Sequence, residues 1–126
     1  MTSQPVRRDY YTPPPDGSMN GIPRTFRLLV DSADGRAVVR VTGELDLQTA
    51  PQLESRLLEL AGQGTGHVTV DMAETDFIDS TGLHALIVAV RELRERGGDL
   101  VVRTPSPNAS RLLQLSGFDS VVEVIP

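Results

Sequence analysis

Cysteine and tryptophan are absent from this chain, and all twelve of its basic residues are arginine, so lysine is absent too. Without thiols it can form neither a disulfide nor a thiolate metal site. Without lysine, a phosphate-binding P-loop and a Schiff-base mechanism are both excluded. Aspartyl-phosphate receiver chemistry also relies on a lysine, which disfavours Asp71 as a phosphate acceptor. The chain also lacks the continuous apolar stretch of a signal peptide or membrane helix. With no export signal, a cytoplasmic location is expected. Net charge is −5 and no basic cluster interrupts the folded part, which argues against nucleic acid and membrane as partners.

At 126 residues the chain supports one domain. Residues 1–24 carry five of the nine prolines (Pro5, Pro13, Pro14, Pro15 and Pro23) and no apolar run. Such a segment buries too little surface to offset its ordering entropy. It is expected to be a flexible proline-rich arm that can include an extension ahead of Met19, and it reads most simply as a dispensable tail. The remaining hundred or so residues can build a modest core.

Along that core, Phe26 to Val30 reads as a first strand and Ala37 to Thr42 as a second, joined by Asp34-Gly35 turn chemistry. Thr49-Ala50-Pro51-Gln52 has the marks of a helix start, with Thr49 as cap and Gln52 completing a capping box. Leu53, Leu57, Leu60 and Ala61 then share one helix face. Val68 to Val70 is a short strand that delivers the chain to an acidic loop, Asp71 to Asp79. The clearest helix follows: Leu83, Leu86, Ile87, Val90 and Leu93 recur at helical spacing until Gly97-Gly98. Leu100 to Val102 is a buried strand, a third helix runs through Ser116, and Val121 to Ile125 is a last strand. Alternation of this kind implies an α/β fold with a mixed sheet and helices packed by right-handed crossovers. Loops leaving the carboxyl ends of such strands gather on one edge, where partners usually bind. Gly43-Glu44-Leu45-Asp46 and Asp71 to Asp79 should both lie there, beside Ser80.

Two registers are open for the helix that begins near Ser80. With Asp79 as N-cap, Ile78 and Leu83 fall at the positions of a hydrophobic staple, and Ser80 at the first helical position points its hydroxyl outward. With Ser80 as N-cap that pairing is lost. The first register is preferred. On spacing alone, a serine that merely starts a helix and a hydroxyl presented for modification are both adequate readings. Thr81 as a second hydroxyl, Gly82 clearing bulk one position on, and Asp46 on the facing loop favour the second.

These motifs, Gly43-Glu44-Leu45-Asp46, the opening at Thr49-Ala50 and Phe77-Ile78-Asp79-Ser80-Thr81-Gly82-Leu83, resemble the STAS domain family. More narrowly they resemble bacterial anti-sigma factor antagonists. The resemblance runs from about Phe26 to the C-terminus, which makes residues 25–126 the STAS domain. It implies a single domain with a four- to five-stranded mixed sheet and three or more helices, no catalytic activity, and no cofactor. It also implies phosphorylation of the first hydroxyl after the aspartate, Ser80, with Thr81 as the alternative. The implied partners are an anti-sigma factor with serine kinase activity and a separate phosphatase. Glu44, Asp46, Asp79, Ser80, Thr81, Gly82 and His84 are the expected partner-binding residues. In the cycle that follows, unmodified protein binds the anti-sigma factor and frees a sigma factor for transcription, and phosphorylation of Ser80 releases it.

Other readings compete. Ser80 and His84 share a helix face, and with Asp79 they suggest a hydrolytic triad. However, Asp79 would stand beside the serine and not behind the imidazole. Asp71, Glu74, Asp76 and Asp79 suggest a divalent metal site, but no EF-hand spacing or histidine pair supports it, so no metal is expected. A non-switching STAS scaffold in a sensory complex or beside a transporter is the main functional alternative, and weak nucleotide binding is a third.

Overall fold

Strand alternation sets the architecture. In the computed structural model, which describes residues 6–11 and 25–126, Leu28 and Val30 alternate with exposed or half-buried neighbours, as do Ala37, Val39 and Val41. Period-two burial of this kind makes a sheet with one covered face. The strands are β1 (Arg7–Tyr11), β2 (Arg27–Ala33), β3 (Arg36–Leu45), β4 (His67–Asp71), β5 (Thr75–Ile78), β6 (Asp99–Arg103) and β7 (Glu123–Ile125). The helices are α1 (Ala50–Gly62), α2 (Ser80–Glu95) and α3 (Pro107–Ser116), with a 3₁₀ turn at Phe118–Ser120. Six strands follow the order β1-β2-β3-β4-β6-β7, and β5 pairs separately with the end of β3. The β1–β2 and β2–β3 pairs are antiparallel, and all others are parallel. The single mixed-sheet domain is as expected, although the described residues form seven strands in place of the four or five anticipated.

The covered face carries Leu28, Val30, Val39, Val41, Val68, Val70, Leu100 and Val102. Onto it pack Leu53, Leu57 and Leu60 of α1 with Leu86, Ala89 and Leu93 of α2, in one continuous core. Side chains at helical spacing place the apolar stripe of each helix toward the sheet, and burial of each leucine contributes about 1.5–3 kcal/mol.

Three sequence expectations need correction. Residues 7–11, placed in the arm, form β1, an edge strand paired with β2 from Arg7↔Ser32 to Tyr11↔Leu28. Its anchors are polar: Arg8 binds Asp31 through two hydrogen bonds of 2.7 and 3.0 Å, and Asp9 meets Arg56 of α1 at 2.9 Å. A search for apolar runs is blind to a strand held by its backbone ladder and ion pairs. Apart from Val6, which is exposed, the rest of the arm lies outside the described residues. Second, Gly43-Glu44-Leu45 is not a loop but the last part of β3. Third, the acidic stretch from Asp71 to Asp79 contains β5, which pairs with that extension.

A bulge at Gly43 makes the extension possible. The β3–β5 register shifts between Gly43 and Glu44. Gly43 has φ of +99°, and a Cβ there would stand 3.0 Å from the carbonyl oxygen of Thr25. Only glycine combines that conformation with so close a backbone. Thr75, fully buried, fixes the pairing by donating its hydroxyl to the Val41 carbonyl at 2.9 Å.

On the open face, the register aligns Arg40, Asp71 and Arg103 across β3, β4 and β6. Asp71 lies beneath the two guanidiniums, 2.8 Å from Arg103 and 3.7 Å from Arg40. Burial resists its ionisation, but the Arg103 hydrogen bond, the Ala73 amide and both positive charges outweigh that and lower its pKa. Asp71, already disfavoured as a phosphate acceptor and not expected to hold a metal, is a strut between strands. Asp71→Asn should cost about 1–3 kcal/mol in urea unfolding, less than a fully buried pair because both arginines remain partly solvated. A lowered pKa stabilises the fold above the unfolded aspartate value and loses that contribution as pH falls through the folded value. The gap between parent and variant should therefore be widest near neutrality and close in strong acid; a gap that widens on acidification would contradict this assignment.

Candidate functional site

The start of α2 is built by one carboxylate. Asp79 has extended backbone angles and is the N-cap, the preferred of the two registers. Its Oδ1 accepts from the Thr81 amide at 2.9 Å and the Gly82 amide at 3.2 Å. The same oxygen also accepts the Thr81 hydroxyl. The first intrahelical bond then runs from the Leu83 amide to the Asp79 carbonyl at 3.0 Å. Burial of Asp79 disfavours its charged form, yet the Thr81 hydroxyl and the Gly82 and Thr81 amides together bring its pKa below the ordinary value. Asp79 therefore stays ionised at neutral pH.

Ser80, at the first helical position, is exposed, and its hydroxyl makes no hydrogen bond among the described residues. Thr81 is half-buried with its hydroxyl committed to Asp79. The two candidate hydroxyls thus differ in kind: one is presented to solvent and the other belongs to the cap.

The facing loop is fixed by strand pairing. Leu45 is the partner of Ile78, so Asp46 and Asp79 follow on neighbouring parallel strands, and the Asp79 amide donates to the Leu45 carbonyl at 3.2 Å. Asp46 turns the chain into α1: its Oδ1 accepts from the amides of Gln48 at 3.0 Å and Thr49 at 3.3 Å. Thr49 is fully buried and does not form the expected capping box. Its hydroxyl instead donates to the Glu44 carbonyl at 2.7 Å and accepts from the Asp46 amide at 2.9 Å. Tertiary demands of the turn override the local cap. Glu44 itself is exposed beside this turn.

A shallow cavity of about 300 Å³ joins the two elements, lined by Leu47, Ala50, Pro51, Glu54, Ser80, Thr81 and His84. Leu47 is 73% exposed, the only leucine of its polar turn, and stands at the rim. Sequence reading missed it; a lone apolar side chain between Asp46 and Gln48 was the available signal. The structure thus brings Ser80, Thr81 and His84 together at one cavity, with Glu44, Asp46 and Asp79 shaping the adjoining backbone.

Gly82 is a correction. It is buried and cannot meet a partner. A Cβ there would stand 2.8 Å from Leu45 Cγ, 2.9 Å from Ile78 Cγ1 and 2.9 Å from the Leu45 carbonyl oxygen. Its missing side chain seats α2 on the end of β3 and gives no room to a docking protein. The acidic residues are also dispersed in role: Asp79 caps α2, Glu74 accepts from the Thr42 hydroxyl at 3.1 Å, and Asp71 is held by arginines. Asp79 is spent on the helix and does not orient His84, which is exposed one turn beyond Ser80.

Residues 27–126 match the family model described as STAS domain. An anti-sigma-B factor antagonist of Staphylococcus epidermidis is 33% identical over 86 residues, covering 68% of this chain and 80% of that protein. BtrV of Bordetella bronchiseptica, provisionally named an anti-sigma factor antagonist, is 30% identical over 99 residues, covering 79% of this chain and 85% of that protein. Among solved structures, an anti-sigma factor antagonist from Mycobacterium paratuberculosis superimposes with a TM-score of 0.74 at 30% identity, covering 83% of this chain and 89% of that one.

Gly82→Ala should lower stability by about 1–3 kcal/mol, because two of the three clashing atoms belong to packed side chains and one to backbone. Asp79→Ala should cost about 0.5–2 kcal/mol through loss of the cap. Thermal and urea unfolding of both variants measure these costs, and a neutral Gly82→Ala would refute the close seating of α2.

Proposed function

The chain belongs to the STAS domain family, and on that premise we propose that it is an anti-sigma factor antagonist switched by phosphorylation of Ser80. Unmodified, it binds an anti-sigma factor that is also a serine kinase, and the sigma factor is released for transcription. The kinase transfers phosphate to the Ser80 hydroxyl, the complex separates, and a phosphatase restores the active form. The chain itself contributes no catalysis.

One observation carries this reading: Ser80 alone offers an exposed, unengaged hydroxyl at the helix tip, while Thr81 holds the cap. That favours serine over the alternative threonine as acceptor. The cap also shapes the consequence of modification. Phosphate adds about −1.5 to −2 charges at neutral pH. The Thr81 and Gly82 amides that could have received it already serve Asp79. The new dianion is therefore left facing outward beside an ionised carboxylate. The sheet and core are remote from it, so the fold should persist while the already acidic docking surface gains negative charge and hydration. Leu47 and the apolar walls given by Ala50 and Pro51 would supply the contact, and a buried phosphate would oppose it.

A penalty of about 2.8 kcal/mol weakens binding a hundredfold. Ser80→Asp should therefore lose anti-sigma factor affinity by about that factor, whereas Ser80→Ala should bind like the parent and resist modification. Incubation with the anti-sigma factor and ATP, followed by mass spectrometry, should place phosphate on Ser80 and not on Thr81. Parent-like binding by both variants, with Ser80 unmodified, would leave a non-switching module instead.

A further inference from the structure

A second cavity, of about 370 Å³, lies on the other flank of α2 and shares no residue with the one at Ser80. Leu83, Ile87 and Val90 of α2 form one wall, and Phe118 and Val121 from the turn before β7 form the other. Arg91 and Arg94 stand at the lip, and no carboxylate is among the lining residues. In a chain of net charge −5, this groove joins apolar walls to two guanidiniums, of which Arg94 is paired with Asp99 and Arg91 is not.

The two arginines differ. Arg94 is a brace: its Nη2 donates to the Val121 carbonyl at 2.6 Å, and its Nε meets Asp99 at 3.0 Å. These bonds hold the lip in place before any ligand arrives. Arg91 is exposed and has no ion-pair or hydrogen-bond partner among the described residues. Val121 remains 48% exposed although it lies against this groove.

From this juxtaposition we infer that the groove binds a small amphiphile, with its apolar chain between α2 and Phe118 and its single anionic group on Arg91. The volume is at the low end for small-molecule sites, which suits a short alkyl carboxylate and is too confined for a helix of a partner protein. Arginine is suited to the anionic end because its planar fork matches a carboxylate. The site is independent of the Ser80 switch.

Octanoate, a soluble amphiphile of this class, is the probe, titrated into the full chain and followed by amide NMR. Shifts should be confined to residues 83–94 and 116–121. Octanol should bind at least about tenfold more weakly and octylammonium not at all. Arg91→Glu and Val121→Asp, both at exposed positions, should each weaken octanoate by about tenfold or more while leaving the rest of the spectrum in place. The inference is overturned by the absence of shifts at millimolar octanoate, by octylammonium binding as well as octanoate, or by parent-like affinity in Arg91→Glu. Shifts scattered over the surface would overturn it equally.

Discussion

The hydrogen bonds received by Asp79 are the constraint on which the site depends. One carboxylate oxygen takes two backbone amides and a threonine hydroxyl at the first turn of α2. This satisfies donors that a helix N-terminus leaves orphaned, and it places negative charge at the positive end of the helix dipole. It also sorts the two neighbouring hydroxyls. Thr81 is drawn inward to the cap, and Ser80 is left outside it. The selectivity of the proposed modification therefore follows from helix capping, before any recognition by a kinase.

The position of that helix tip is set by the sheet. β3 outruns β4, bends at Gly43 and pairs with β5, so that Leu45 and Ile78 end side by side. Gly82 then brings α2 against Leu45 with no side chain between them. Further along, Ser106 donates to the Thr75 carbonyl at 2.6 Å and Asn108 to the Asp76 carbonyl at 2.8 Å, which ties the start of α3 to β5. The edge that carries Ser80 is thus held from two sides, and the proposed modification there would change a surface on a fixed frame.

Much of this was legible in the residues. The Leu83–Leu93 periodicity, the Ile78/Leu83 spacing around Asp79, the Asp34-Gly35 turn and the glycine stop at Gly97 are local signals, and local physics decided them. What stayed hidden depended on distant partners. β1 has no apolar pattern because ion pairs with Asp31 and Arg56 hold it. β5 reads as an acidic loop because Asp76 and Phe77 point outward while only Thr75 and Ile78 are buried. Thr49 looked like a helix cap until the Glu44 carbonyl claimed its hydroxyl. Gly82 was recognised as important for the wrong reason, since sequence spacing cannot tell clearance toward solvent from clearance toward the core.

The all-arginine composition acquires a meaning at Asp71. A guanidinium has a fixed fork and a charge that never titrates in the working range of a cell, so Arg40 and Arg103 can straddle a carboxylate across three strands without exchanging protons with it. The middle of the open sheet is thereby indifferent to ordinary swings in acidity. The charge of the proposed phosphoserine would then be added to a domain whose central Arg40–Asp71–Arg103 triad keeps its own charges at neutral pH.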